Sequence, residues 1–138
     1  MIALDTNAVV RMLIEDDKKQ AKAVEDLILF AEKNDYQLIV LSEVLIETVW
    51  VLEAVYHCTR NEISKFLEAL ISTPSFTLPE APVTYTAIQQ YKKGGDFADL
   101  MIVAQAKKNR AKHLFSFDRK LQKLFPDYII SDVGKIPL

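Results

Sequence analysis

One cysteine in 138 residues cannot close an internal disulfide. Whatever holds this chain together is therefore a core rather than a covalent staple, and a lone thiol fits a reducing compartment. Cys58 itself reads as a small buried apolar side chain. No apolar run approaches the ~20 residues that cross a bilayer; runs such as Leu38 to Leu41 and Val49 to Leu52 fall far short. The start, Met1-Ile2-Ala3-Leu4-Asp5, has no basic segment and reads as a buried strand, so no signal peptide and a cytoplasmic location are expected. Repeats, linkers and low-complexity stretches are missing too. Half the residues are hydrophobic and 26% are charged, which predicts a single domain over residues 1–138 with a real core. The two histidines, His57 and His113, have no partners at metal-ligand spacing and read as ordinary half-buried residues.

A strong net charge is lacking as well. The formal value of −2 does not advertise a nucleic-acid binder, but the distribution is lopsided. Residues 15–62 hold eleven acids against five bases, whereas residues 92–123 hold nine bases against three acids. Those three are Asp96, Asp99 and Asp118. A positive segment whose few acids stand at candidate site positions can attract a polyanion while holding cations locally. The plain alternative is a set of solvated helix faces.

What is present alternates. Ile2–Leu4 is a short apolar run closed by Asp5-Thr6-Asn7, residues that favour turns and caps. Helices are expected at 8–14, at 18–34, and at 43–56 with Ser42 as its cap; Thr59 to Glu62 has the form of a capping box opening another. Further helices are expected at 83–92, from the Gly94-Gly95 break to about Arg110, and as a turn at 118–124. Strands fit 37–41, 113–117 and 128–130, with an edge strand at 76–78 closed by Pro79 and Pro82. Short apolar strands between amphipathic helices predict an α/β fold with a central, mostly parallel sheet and right-handed crossovers. Ligands of such folds sit beyond the carboxyl ends of the strands.

The acids fall at that rim. Asp5 follows the first strand and Asp118 the fourth. Glu43 and Glu47 share a face at the start of the helix after the second strand, and Asp96 and Asp99 open the helix that leads to the fourth. Apolar neighbours Leu45, Ile46, Val49 and Trp50 argue against a surface position for Glu47. Capping alone accounts for Asp96 and Asp99 singly, since carboxylates are favoured at helix N-termini. Gathering all of them is different: like charges at about 5 Å repel by a few kcal/mol at an effective dielectric near 20. The chain must then raise their pKa values or bind cations. A set of carboxylate oxygens without cysteine suits Mg²⁺ or Mn²⁺ rather than Zn²⁺. Such an ion can activate water and steady the leaving oxygen of a phosphodiester.

Four stretches carry a resemblance: Met1 to Asn7, Val44 to Leu52, Asp96 to Val103, and Phe115 to Leu121. They resemble, in order and spacing, the successive motifs of PIN-domain ribonucleases, most closely the VapC-type toxins of toxin–antitoxin pairs. The resemblance implies a PIN-like three-layer fold in which Asp5, Glu47, Asp99 and Asp118 form the metal-binding and catalytic pocket. Asp5 and Asp99 would hold the principal ion, Glu47 would help hold it or orient the attacking water, and Asp118 with Asp96 would complete a second, weaker site. Asp96 is either a ligand or a residue just behind the ligands. Asn7 and Ser116 match positions that hydrogen-bond within the pocket, and Glu43 matches none. The resemblance further implies an RNA substrate left with 5′-phosphate and 3′-hydroxyl ends, a cognate antitoxin whose tail lies over the pocket, and a homodimer. No membrane is expected among the partners. Lys92, Lys93, Arg119 and Lys120 are candidates to hold the RNA backbone, with single-stranded or loop regions the favoured targets. Exposed members of Leu45, Trp50, Val51 and Leu52 could serve partner contacts, although core packing explains them equally well.

Rivals differ at named positions. A phosphotransfer receiver domain wants an acidic pair after the first strand, and here Thr6-Asn7 follows Asp5. A haloacid-dehalogenase-type phosphatase wants an aspartate at position 7, which is asparagine. A PIN-like module that binds RNA or protein without cutting is the alternative from another class.

Overall fold

The computed structural model describes residues 1–137. In chain order the elements are β1 (Ile2–Ala3), α1 (Thr6–Leu13), α2 (Lys18–Lys33), β2 (Leu38–Ile39), α3 (Ser42–Ala54), α4 (Arg60–Ser72), β3 (Phe76–Thr77), α5 (Ala81–Lys93), α6 (Phe97–Lys108), β4 (Leu114–Phe115), α7 (Arg119–Leu124) and β5 (Ile129–Ile130). A short 3-10 turn at Val133–Lys135 follows. Every described strand pair is parallel, and the helices between paired strands supply the crossovers. The result is an α/β fold of parallel strands flanked by helices, as expected.

The sheet differs in one respect. Its ladder is not continuous: β1, β2 and β3 form one set in that order, and β4 with β5 forms another. Two cores match the two ladders. The larger runs under β1–β3 and α1–α6, with Tyr91, Phe97, Leu38, Leu45, Ile63 and Leu100 buried to 2% exposure or less. A burial of that depth contributes roughly 1.5–3 kcal/mol per large apolar side chain. The smaller joins Val103 of α6 to Leu121 and Ile129. Phe125 packs against both and ties the β4–α7–β5 segment to the main body.

Local details follow the sequence, with corrections at Ser42, Glu47 and His57. Thr59 and Glu62 make the full capping box at the start of α4. Ser42, expected as a cap, is instead the first helical residue of α3. Leu41 holds the cap position without a side-chain bond, because the chain stays extended through Leu41 after Val40 bonds to Thr77 O. Glu47 is exposed, not withdrawn. The apolar residues around it divide, Leu45, Val49 and Leu52 entering the core while Trp50 stays 63% exposed on Glu47's side of α3. Val51 is partly buried against the core. Cys58 is half-buried, and no disulfide is made. His113 is half-buried with Nδ1 3.3 Å from Tyr128 O, whereas His57 is exposed.

Candidate active site

Three of the candidate acids are built the same way. Asp5, Asp96 and Asp118 each leave an extended backbone and cap the helix that follows. One carboxylate oxygen of each accepts a main-chain amide hydrogen: Asp5 Oδ1 from Ala8 at 2.9 Å, Asp96 Oδ2 from Asp99 at 3.1 Å, and Asp118 Oδ1 from Leu121 at 2.9 Å. A cap satisfies one otherwise orphaned donor and fixes the carboxylate's direction. It leaves the second oxygen free. Capping and ligation, set against each other as readings of the sequence, are compatible in one side chain.

Asp96, Asp99 and Asp118 line one cavity of about 700 Å³, together with Glu53, Arg60, Lys120 and Lys123. Asp99 is the half-buried member. Its carboxyl is pushed above the ordinary aspartate range, first by burial and then by the charges of Asp96 and Asp118. Ser116 Oγ accepts the Asp118 amide hydrogen at 3.1 Å, and Gln122 Nε2 donates to Ser116 O at 2.9 Å, so the turn carrying Asp118 is braced from both sides.

Glu47 faces an adjoining groove of about 410 Å³, lined also by Glu43, Glu53, Asp96 and Trp50. Glu53 and Asp96 border both spaces. Asp5 and Asn7 line neither; both are exposed at the carboxyl end of β1.

The basic segment 92–123 is spread over several surfaces. Lys120 and Lys123 border the acidic cavity, and Arg119 is exposed at the first turn of α7. Lys92 pairs with Glu68 at 2.7 Å, Lys108 with Glu80 at 2.8 Å, and Lys93 lines a separate groove beside Phe125. The Lys107 ammonium lies over the rings of Phe125 and Tyr128.

Two residues that the sequence reading passed over belong to this site. Arg60 stacks on Tyr91, its guanidinium carbon 4.4 Å from the ring centre, while Nη1 donates to Tyr91 O at 2.9 Å and Gly95 O at 2.7 Å. Glu53 Oε2 accepts the Tyr91 hydroxyl hydrogen at 3.1 Å, and burial pushes that phenol above its usual range. The signal for Glu53 was there: Glu43, Trp50 and Glu53 continue one helical face at spacings of seven and three. For Arg60 there was none, since stacking on a residue 31 positions away is a tertiary fact.

Residues 2–124 match the PIN domain family. The chain belongs to the PIN-domain family. A VapC ribonuclease of Aquifex aeolicus (strain VF5) is 30% identical over 125 residues, covering 90% of this chain and 92% of that protein. No solved structure matches. In this PIN domain, the donors around the cavity are carboxylate oxygens, the kind that hard divalent ions take. The raised Asp99 pKa marks a place where added positive charge is favourable. Among the described residues, however, no three His, Cys, Asp or Glu side chains stand together at metal-holding distance. Asp96, Asp99 and Asp118 border the cavity, whereas Glu47 lies at the adjoining groove and Asp5 at neither.

Proposed function

We propose that this chain is a Mg²⁺- or Mn²⁺-dependent endoribonuclease and the toxin of a toxin–antitoxin pair. The observation that carries the reading is the approach of Asp96, Asp99 and Asp118 from two separate segments to one cavity, with Asp99 half-buried between two like charges. Repulsion of that kind is relieved by a cation. The similarity to a VapC ribonuclease supports the activity.

In this reading Asp99 and Asp5 hold the ion, Glu47 helps hold it or orients water, and Asp118 and Asp96 extend the acidic rim. When bound, the ion would supply Lewis-acid activation of water and neutralise charge on the leaving oxygen. The chain's own part is positional. The three capping bonds fix where the free oxygens of Asp5, Asp96 and Asp118 point. Ser116 braces Asp118, and Asn7 follows Asp5 by two residues. Lys120, with Arg119 beside it, faces the phosphate of an RNA strand; Lys92 and Lys93 contact RNA further out or serve only as solvated charges. The products carry 5′-phosphate and 3′-hydroxyl ends. The chain works in the cytoplasm as a single domain and homodimer, with an antitoxin tail as its inhibitor. Exposed Trp50 beside the acidic groove is the best-placed residue to receive that tail.

The open spacing of the acids favours one other reading, a module that binds RNA without cutting it. Incubating the purified chain with pooled cellular RNA in Mg²⁺, in Mn²⁺ and in EDTA separates the two. Cleavage that needs the ion and disappears in both Asp5→Asn and Asp99→Asn supports the nuclease. Ion-dependent binding with intact RNA supports the module.

A further inference from the structure

Arg60 borders two spaces. On one side is the acidic cavity; on the other is a groove of about 420 Å³ between α4 and the end of α5, lined by Arg60, Asn61, Ser64, Lys65, Glu68 and Lys92. The groove carries three cations against one carboxylate, a local surplus of two (three minus one) in a chain whose net charge is −2. Glu68 is taken by Lys92 at 2.7 Å, and Lys65 makes no ion pair among the described residues. Ser64 is 3% exposed, and its hydroxyl has no hydrogen-bond partner although it lies at this groove. A buried donor without an acceptor costs free energy that an incoming oxygen acceptor would recover. Arg60 is held rigidly by Tyr91 and by two carbonyls that occupy Nη1. Its Nε and Nη2 donate to nothing in the described contacts, and a fixed guanidinium fork suits phosphate oxygens.

We infer that the α4–α5 groove holds the RNA phosphate neighbouring the one that is cut, with Arg60 bridging the two positions and Lys65 and Ser64 contacting the outer phosphate. The inference rests on the nuclease reading above and adds the path of the strand, which leaves the acidic cavity over Arg60 rather than along the acid-lined groove of Glu43, Glu47 and Glu53. A polyanion is repelled by that second groove and attracted by this one.

The test is steady-state cleavage of a short fluorescent single-stranded RNA of mixed sequence in Mg²⁺ over a range of salt. Four proteins are compared: wild type, Lys65→Glu, Ser64→Ala, and Lys33→Glu, which makes the same charge change on α2. Lys65 and Lys33 are exposed, and Ser64→Ala removes a hydroxyl that bonds to nothing, so all fold. Lys65→Glu is expected to raise KM roughly fivefold with kcat unchanged. It is also expected to lower the salt slope of log(kcat/KM) by about 0.7, the loss of one phosphate contact. Ser64→Ala raises KM in the same direction, and Lys33→Glu behaves as wild type. If Lys65→Glu and Ser64→Ala match Lys33→Glu while wild type cuts, the groove is not on the strand's path and this inference fails alone. If wild type cuts nothing in Mg²⁺, the nuclease reading fails and takes the inference with it.

Discussion

Asp96 Oδ2 accepts the amide hydrogen of Asp99 at 3.1 Å, so the first acid of the pair fixes the backbone that carries the second. The two roles of Asp96 are therefore separable by substitution. Asp96→Asn keeps an oxygen for the cap and removes the charge; Asp96→Ala removes both. Thermal unfolding should show Asp96→Ala destabilised by about 1 kcal/mol and Asp96→Asn by much less. Cleavage rates should fall in both, and further in Asp96→Ala because Asp99 is no longer held. Equal activity loss in the two variants would mean that the charge alone matters.

Asp99 gives a pH prediction whose sign runs opposite to that of a salt-bridged carboxylate. Its folded pKa is raised by burial, then by Asp96 and Asp118. Between the ordinary aspartate value and that raised one, the folded state binds more protons than the unfolded state, so stability falls as pH rises through the window. Above the window the full penalty remains. Asp99→Asn is therefore expected to raise the Tm of the ion-free protein at pH 7, and to lose this advantage at a pH below both values. Added Mg²⁺ or Mn²⁺ should stabilise wild type more than the variant. A Tm for Asp99→Asn at or below wild type at neutral pH, without metal, would contradict the assignment of Asp99 as the strained acid.

How much of this was legible in the sequence varies with the range of the interaction responsible. The Thr59–Glu62 box and the capping aspartates follow from neighbours three residues apart, and the parallel strands from apolar runs set between helices. One topological argument, that parallel strands present their carboxyl ends to a common rim, gathered Asp5, Glu43, Glu47, Asp96, Asp99 and Asp118; the cavity brings together only the last three. The break between the β1–β3 ladder and the β4–β5 pair was hidden, because strands of two residues leave little pattern from which to read pairing. Glu47 was misjudged, and Trp50 left open between core and surface, for a related reason: α3 is apolar almost all round, so its periodicity did not say which side faces out. Arg60 was invisible because its importance comes from Tyr91 and Gly95, which lie more than 30 positions away.

The double glycine before α6 was readable as a break, but the two residues are not equivalent. Both have positive φ, +143° at Gly94 and +108° at Gly95. A Cβ at Gly94 would meet nothing within 4 Å, whereas one at Gly95 would lie 3.0 Å from Leu124 Cδ1 and 3.1 Å from Leu100 Cδ2. Gly94→Ala should show backbone strain alone, about 1–3 kcal/mol. Gly95→Ala adds the displacement of two leucines and disturbs the carbonyl that Arg60 grips. Urea denaturation should rank Gly95→Ala as the less stable of the two, with the larger drop in cleavage. The reverse order would show that the α6–α7 contact yields more easily than the backbone.

Glu53 offers the sharpest separation of structure from chemistry, because its carboxylate borders both spaces while its Oε2 is bonded to the buried Tyr91 hydroxyl. Tyr91→Phe removes the donor and keeps the ring under Arg60, so a loss of about 1 kcal/mol in stability is expected. Its charge distribution is unchanged, and so is the ion concentration needed for half-maximal cleavage. Glu53→Gln does the opposite: its side-chain oxygen still accepts from Tyr91, but one negative charge at the cavity is gone. A near-native Tm is expected for this variant, with the half-maximal Mg²⁺ concentration several-fold higher, since a cation is drawn by the summed field of the acids and not only by those it touches. Measured together, the two variants form a crossed pair. If Glu53→Gln leaves the Mg²⁺ dependence untouched, Glu53 is only the hydrogen-bond partner of Tyr91, and the acidic field that draws the ion ends at Asp96.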